Sequence, residues 1–471
     1  MQIFSLAEGN TLVNQGYFAE SIRCYIKAAR IEELIASCEM NIARARAARL
    51  LQREGQPPAV AVAAWDLSHN AAGRAVALLE LYRYGGVPAE LIGCVVKPEH
   101  GIWPPVRYLS ELTHSFNFVE TGCFLTDCLQ FVLQHPYDVV HLSKPRIMNM
   151  VLGFIYKAVW GSKVIMDVDD EELAFVKKQA HLPFTDFEAN GYSAKSLNAA
   201  PWTQLAVGSV ALFDAITVSN PALQAKYGGL VIPHVRNEAL FVQAMNERAE
   251  VRAGLGIEPD DLLVIFVGTP RKHKGLLETA TALASLNAAK VKFLIAGDFP
   301  QPELKEELLR LTSLQIVFLP GPSFEQMPAL VCAGDVCVLL QDPQSPVAQY
   351  QLPAKLVDAL AGGLQVFITP TAATQHCVDA GAAVAVTPDN LAAEIRKVLQ
   401  VNNCRNMIGL DFFAAHLSMA ANWPQLQALL GDLAGQAKPH IELTGLLHSL
   451  CFEPDVFEFS KRIAAQLASP C

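Results

Sequence analysis

A chain of 471 residues, 52% of them hydrophobic and 17% charged, is long enough for about three domains and apolar enough to bury large cores, which excludes disorder for most of it. Its formal net charge of -10 excludes a basic nucleic-acid footprint, so any anionic ligand must be held by a local group of cations. Mean hydropathy is +0.26, yet the longest uncharged stretch, LNAAPWTQLAVGSVALF, is interrupted by polar groups and Pro201, and no transmembrane helix is expected. The start MQIFSLAEGN lacks the basic and apolar parts of a signal peptide, and the eleven cysteines contain no CxxC pair. A cytoplasmic protein is expected, with peripheral membrane attachment left open and with Cys332 and Cys337 as small core residues.

Residues 1–56 show no strand-like alternation. Their small and apolar residues recur at helical spacing, with a break at Gly16, which predicts a helical hairpin and a further helix. Gly9, Leu12, Gly16, Phe18, Tyr25 and Ala28 stand at the spacing of a tetratricopeptide repeat, with Ser21 where that motif prefers Ala, so the segment resembles one such unit. A single unit cannot bury a continuous core. It must therefore dock on the rest of the chain, on a second copy or on a protein partner. LQREGQPP reads as a polar linker ending this segment.

From residue 57 the texture becomes β/α. The runs AVAVAAW, ELIGCVV, DVVHL, KVIMDV and AITVS alternate with helical stretches, as in a parallel sheet with crossover helices. After VIPHV a second series follows: LLVIFVG, VKFLIAG, IVFLP, VCVLL, LQVFIT and AAVAV. This predicts two Rossmann-like, doubly wound α/β domains, residues 57–228 and 229–402, facing a cleft where ligands bind at the carboxyl ends of the strands. A helical extension is expected over 403–471.

In the second domain, TPRKHKGLLETATAL places Arg271, Lys272, His273 and Lys274 on a loop before a helix. Free backbone N–H groups and the positive end of the helix macrodipole favour an anion there, although a solvated basic turn has the same pattern. QYQLPAKLVDALAGG supplies another helix start, with Pro353 near its first position and Gly362 and Gly363 as its stop. FVGTPRKHKGL, FLIAGD, VFLPGPSFEQMPALVCAGDVCVLL, LPAKLVDALAGGLQVFITP and the crossing TVSNPALQAKYGGLVIPHVRNEALF resemble the retaining GT-B glycosyltransferases of the glycogen-synthase-like family four, over about residues 57–402. The resemblance implies that Arg271 and Lys274 hold the donor diphosphate and stabilise the leaving nucleotide, with Gly268 and Lys355 on the same donor side. Asp358 matches the second acid of the family's paired-glutamate motif, which accepts from the ribose hydroxyls. The first acid is replaced by Tyr350, so the grip on the transferred sugar is left open.

The first domain is expected to bind the acceptor. In AVAVAAWDLSHNAAGRAVALLELY a strand runs through a small-residue loop into a helix, so Gly73 and Arg74 are acceptor-side candidates, as are the basic residues of HLSKPR. KVIMDVDDEEL raises the question of a metal, because the Asp167–Asp169 spacing serves that purpose in single-domain sugar transferases. A basic clamp already neutralises the donor, so no metal or other cofactor is expected. Asp167, Asp169 and Asp170 are read as a polar acceptor-side wall in which Asp169, the catalytic candidate, or Asp170 hydrogen-bonds the acceptor hydroxyl or orients a basic neighbour; an acidic helix cap is the competing reading. The expectation is a hexosyltransferase-like enzyme moving a sugar from a nucleotide diphosphate sugar to a glycan or lipid-linked acceptor, with retention. Rival readings are a sugar-nucleotide epimerase or hydrolase on the same scaffold, and a non-catalytic binding protein.

Overall fold

Strands form where the sequence has short apolar runs without charge, and in this computed structural model they assemble into two wholly parallel sheets. The structure describes residues 2–119, 121–192, 196–401, 405–435, 441–452 and 455–468. The first sheet contains β1 (Val60–Ala64), β2 (Ala89–Val95), β3 (Thr113–Asn117), β4 (Val139–Ser143), β5 (Lys163–Val168), β6 (Ala215–Val218) and β7 (Leu230–Val231), in the order β3-β2-β1-β4-β5-β6-β7. The second contains β8 (Leu262–Val267), β9 (Val291–Ala296), β10 (Gln315–Leu319), β11 (Val336–Leu339), β12 (Gln365–Ile368) and β13 (Val384–Ala385), in the order β10-β9-β8-β11-β12-β13. β1, β4, β5, β8 and β9 are buried along their whole length, because crossover helices cover both faces of each sheet. The winding reverses between β1 and β4 and between β8 and β11, and a crevice opens at such a reversal.

Two strands were not anticipated. β3 has the sequence THSFN, a half-exposed edge with no apolar run, and β7 is a two-residue edge. Since β7 pairs with β6, the first sheet runs past residue 228, the expected domain limit. The other expected limit, at 402/403, lies outside the described residues. Cys332 and Cys337 are buried core residues, and none of the nine described cysteines is in a disulfide.

The N-terminal helices Gln2–Asn14 and Phe18–Ala28 turn at Gly16, whose φ of +83° favours glycine, and Ile35–Gln52 follows. At Gly9 a Cβ would lie 2.5 Å from the Tyr25 ring, so only a glycine lets the two helices close. Ile22, Tyr25, Ala28, Cys38 and Ile42 join Phe131, Val132 and Trp160 of the first domain in one core. Arg49 binds Asp138 at 2.9 Å and lies over the Trp160 ring. The final helices Leu443–Cys451 and Val456–Ala468 enter the same core through Leu446, Leu447, Phe459 and Ile463.

The chain crosses between the sheets twice, and the crossings lie side by side. Arg236 N donates to Leu417 O at 3.2 Å, and Met419 N donates to Arg236 O at 3.0 Å. Phe413 and Leu417 pack in the second domain, whereas Leu426 and Leu433 of the helix Met419–Gly435 pack in the first.

Candidate active site

On the second domain, β8 ends at Val267, directly before Gly268, and Lys272–Lys274 form a single tight turn before the helix Leu276–Ser285. Gly268 (φ +124°) and Gly297 (φ +154°) let the ends of β8 and β9 touch, since a Cβ on Gly297 would lie 2.2 Å from Gly268 O. A Cβ on Gly268 would also lie 3.0 Å from Lys355 Nζ, so Lys355 reaches across to this loop from the start of the helix Ala354–Ala361. Lys355 lies over the Phe266 ring at 5.0 Å, and burial lowers its pKa. Lys274 Nζ donates to Thr269 O at 2.9 Å, and burial, aided by Lys355 and Arg271, pushes its pKa down to about 7. Arg271 is exposed at the mouth. Three cations are thus gathered at two loop-to-helix junctions, and among the described residues none forms a salt bridge with a carboxylate. Such a cluster repels itself until an anion joins it.

Asp358, on the same helix as Lys355, is buried and receives Arg236 Nε on Oδ1 at 2.6 Å. Arg236 comes from the first interdomain crossing, so this pair ties the crossing to the donor-side helix.

On the first domain the acidic stretch behind β5 is matched, residue by residue, with cations. Asp167 accepts Arg74 Nε and Nη2 at 2.9 and 2.7 Å, and Arg74 also donates to the carbonyls of Ile232 and Pro233. Both side chains are buried, and Thr217 donates a further 2.8 Å bond to Asp167. Asp169 lies 3.0 Å from Lys144 Nζ and 3.1 Å from His234 Nε2. Burial pushes its pKa upward, but Lys144, His234 and Arg74 outweigh that and hold it well below the usual carboxylate range. Asp170 pairs with Lys144, Glu171 with Lys226 and Glu172 with Arg146. Lys144 adopts a φ of +76°, an unusual conformation for a residue with a side chain, at the point where three carboxylates meet it.

The two domains meet at this wall. Gln351 donates to Asp170 at 2.8 Å, and Asn220 donates to the Tyr350 carbonyl at 2.8 Å. The Tyr350 ring packs against the first domain, with Lys226 Nζ 5.3 Å from its centroid. Gly73, near the start of the helix Ala72–Tyr84, faces Phe324 of the second domain, which a Cβ would approach to 3.7 Å. Trp103 closes that contact, 5.8 Å from Phe324.

The structure therefore brings Gly268, Arg271, Lys274 and Lys355 into one group, and Arg74, Asp167, Asp169 and Asp170 into another. Arg74 and Asp167 face each other and the crossing, while Asp169 and Asp170 stand nearer the cleft. The sequence by itself assigns no role to His234, Arg236 or Gln351. Each is a polar residue in a connecting segment, and only a signal such as VIPHVRN directly before the second domain marked two of them.

Residues 261–401 match a family model described as Glycosyl transferases group 1. Comparison with curated protein sequences gives no match. Among solved structures, the fold is similar to Anabaena Alr3699/HepE in complex with UDP-glucose, at 15% identity over 80% of this chain and 100% of that one, with a TM-score of 0.58. It is also similar to sucrose-phosphate synthase from Thermosynechococcus elongatus, at 17% identity over 81% and 100% of the two chains and a TM-score of 0.58. The lipopolysaccharide-biosynthesis glycosyltransferase WaaG matches at 14% identity over 80% and 100%, with a TM-score of 0.53. Two parallel α/β domains facing one cleft form a GT-B fold, and the three gathered cations lie in the second of them, the part of the chain that matches the Glycosyl transferases group 1 model.

Proposed function

We propose that the protein transfers a sugar from a nucleotide diphosphate sugar to a glycan or lipid-linked acceptor, with retention and without a metal. The observation carrying this reading is the cluster of Arg271, Lys274 and Lys355 at helix starts, within the domain that matches a glycosyltransferase family. A diphosphate there would gain charge-assisted hydrogen bonds, and stabilisation would grow as negative charge develops on the leaving nucleotide. The clamp itself supplies the neutralisation that a metal provides elsewhere. The carboxylates behind β5 are each engaged by a basic side chain, which argues against a role as metal ligands. HepE has been solved with UDP-glucose, which supports the choice of a nucleotide sugar as donor class.

Thermal-shift measurement against UDP-, GDP- and ADP-sugars, with and without EDTA, tests the proposal. A nucleotide at 100 times its dissociation constant should add about 2.7 kcal/mol of stability, with the same shift in EDTA. Loss of binding in EDTA, restored by manganese, would overturn the metal-free part. A second reading, nucleotide-sugar binding without transfer, draws on the withdrawal of the Tyr350 ring into the first domain. It requires binding with no turnover of donor.

A further inference from the structure

Tyr350 and Leu352 are anchored in opposite domains: the Tyr350 ring packs against the core of the first, and Leu352 is buried in the core of the second. Gln351, between them, is therefore held at the boundary, four residues before Lys355 of the clamp. Pro353, with a φ of -67°, stiffens the short link from Gln351 to the helix Ala354–Ala361. The Gln351 side chain crosses to the first domain, where Nε2 donates to Asp170 Oδ1 at 2.8 Å. The other oxygen of Asp170 is paired with Lys144. A carboxylate paired with an ammonium only accepts, so the amide must turn its nitrogen toward Asp170 and its oxygen away. Among the described residues nothing donates to Gln351 Oε1, and this oxygen is not sealed in the interior. One domain carries the acceptor atom and the other aims it.

We propose that Gln351 is a specificity-determining residue whose Oε1 accepts a hydrogen bond from a hydroxyl of the transferred sugar, with Asp170 as the positioning residue that fixes its amide. This rests on the glycosyltransferase reading above. A sugar passing from a diphosphate on the clamp to an acceptor on the first domain lies between the two, and Gln351 spans that interval. Tyr350 stands where the resemblance implies an acid, but its ring is withdrawn onto the first domain, which leaves the neighbouring amide as the polar group at the boundary. A neutral oxygen takes a hydroxyl without adding to the negative charge of Asp169 and Asp170, as a carboxylate in its place would. The sugar is read only while the two domains stand together, because separating them frees the amide to turn.

The test uses the full chain and calorimetry with UDP-glucose, UDP-N-acetylglucosamine, GDP-mannose and ADP-glucose, each beside its nucleoside diphosphate, and takes the nucleotide sugar that binds the parent most tightly. Gln351→Leu should bind the diphosphate within about twofold of the parent and the nucleotide sugar about tenfold more weakly. A loss above about threefold that is confined to the nucleotide sugar supports the proposal; a smaller loss, or an equal loss for the diphosphate, makes Gln351 a mere tie between domains and overturns it. Asp170→Ala should show the same selective loss, with the double variant no weaker than Gln351→Leu alone, and additive losses would overturn the positioning role. If Gln351→Leu fails to fold, Gln351→Met, which keeps the length of the side chain, is measured in its place by the same criterion. If the parent binds none of the four nucleotide sugars, the glycosyltransferase reading fails first, and this inference falls with it.

Discussion

Lys274 Nζ donates to the carbonyl of Thr269 at 2.9 Å, and the charged neighbours that act on it are the cations Lys355 and Arg271. Its pKa of about 7, against an ordinary 10.5, means that above neutrality the folded chain holds this proton less tightly than the unfolded chain does. Stability from this group should therefore rise as pH increases from about 7 towards 10.5. A bound diphosphate should reverse the depression. Calorimetry at pH 8 in two buffers of different ionisation enthalpy should show proton uptake on binding of UDP, GDP or ADP, whichever binds. Lys274→Arg should abolish the uptake, and equal heats in both buffers for the parent would contradict the assignment.

The clamp should affect rate more than ground-state binding if it meets charge that develops during departure of the nucleotide. Arg271→Ala and Lys274→Ala should each lower turnover by about tenfold or more, equivalent to roughly 1.4 kcal/mol. Steady-state kinetics on a nucleotide sugar that binds the parent provides the measurement. Parent-like turnover in both variants would reduce the basic turn to a solvated surface.

Arg74 tests a different distinction, because its guanidinium is buried against Asp167 and two crossing carbonyls. Removing one partner of a buried pair costs about 3 to 5 kcal/mol. Arg74→Ala should lower the denaturation midpoint by a corresponding amount while leaving the donor clamp able to bind nucleotide. A variant with parental stability and impaired catalysis would instead place Arg74 in contact with a ligand.

Asp358 has Oδ1 engaged by Arg236, leaving Oδ2 for a ribose hydroxyl. Asp358→Asn should weaken a ribonucleotide more than its 2'-deoxy analogue, as read by calorimetry. Equal weakening of the two would make the Arg236 pair the whole of its role.

Residues 1–56 share a core with the first domain, and Arg49 and Arg53 both bind Asp138. Deleting them would expose Trp160 and its neighbours and leave Asp138 without these partners. The truncated chain should be less stable than the parent and prone to aggregate, as followed by light scattering during heating. A monodisperse truncated chain with the parental midpoint would show that the helices are an independent attachment.

The apolar runs were enough to identify eleven of the thirteen strands among the described residues and the two doubly wound domains, because a strand buried on both faces must be apolar along its length. The donor clamp was also legible: Arg271 and Lys274 follow a strand and precede a helix, so local chain direction alone carries them to a sheet's carboxyl edge. β3 and β7 escaped notice because an edge strand can be short or polar. The acceptor side depended on pairings between residues far apart in the chain. Nothing local in KVIMDVDDEEL says that Asp167 will meet Arg74, 93 residues away, or that Asp170 will meet Gln351, 181 residues away. Whether a carboxylate is a free ligand or half of a buried pair depends on which charge the fold brings within about 4 Å of it, and sequence spacing does not encode that distance. His234 met Asp169 in the same way, when the crossing set its ring nitrogen 3.1 Å from that carboxylate.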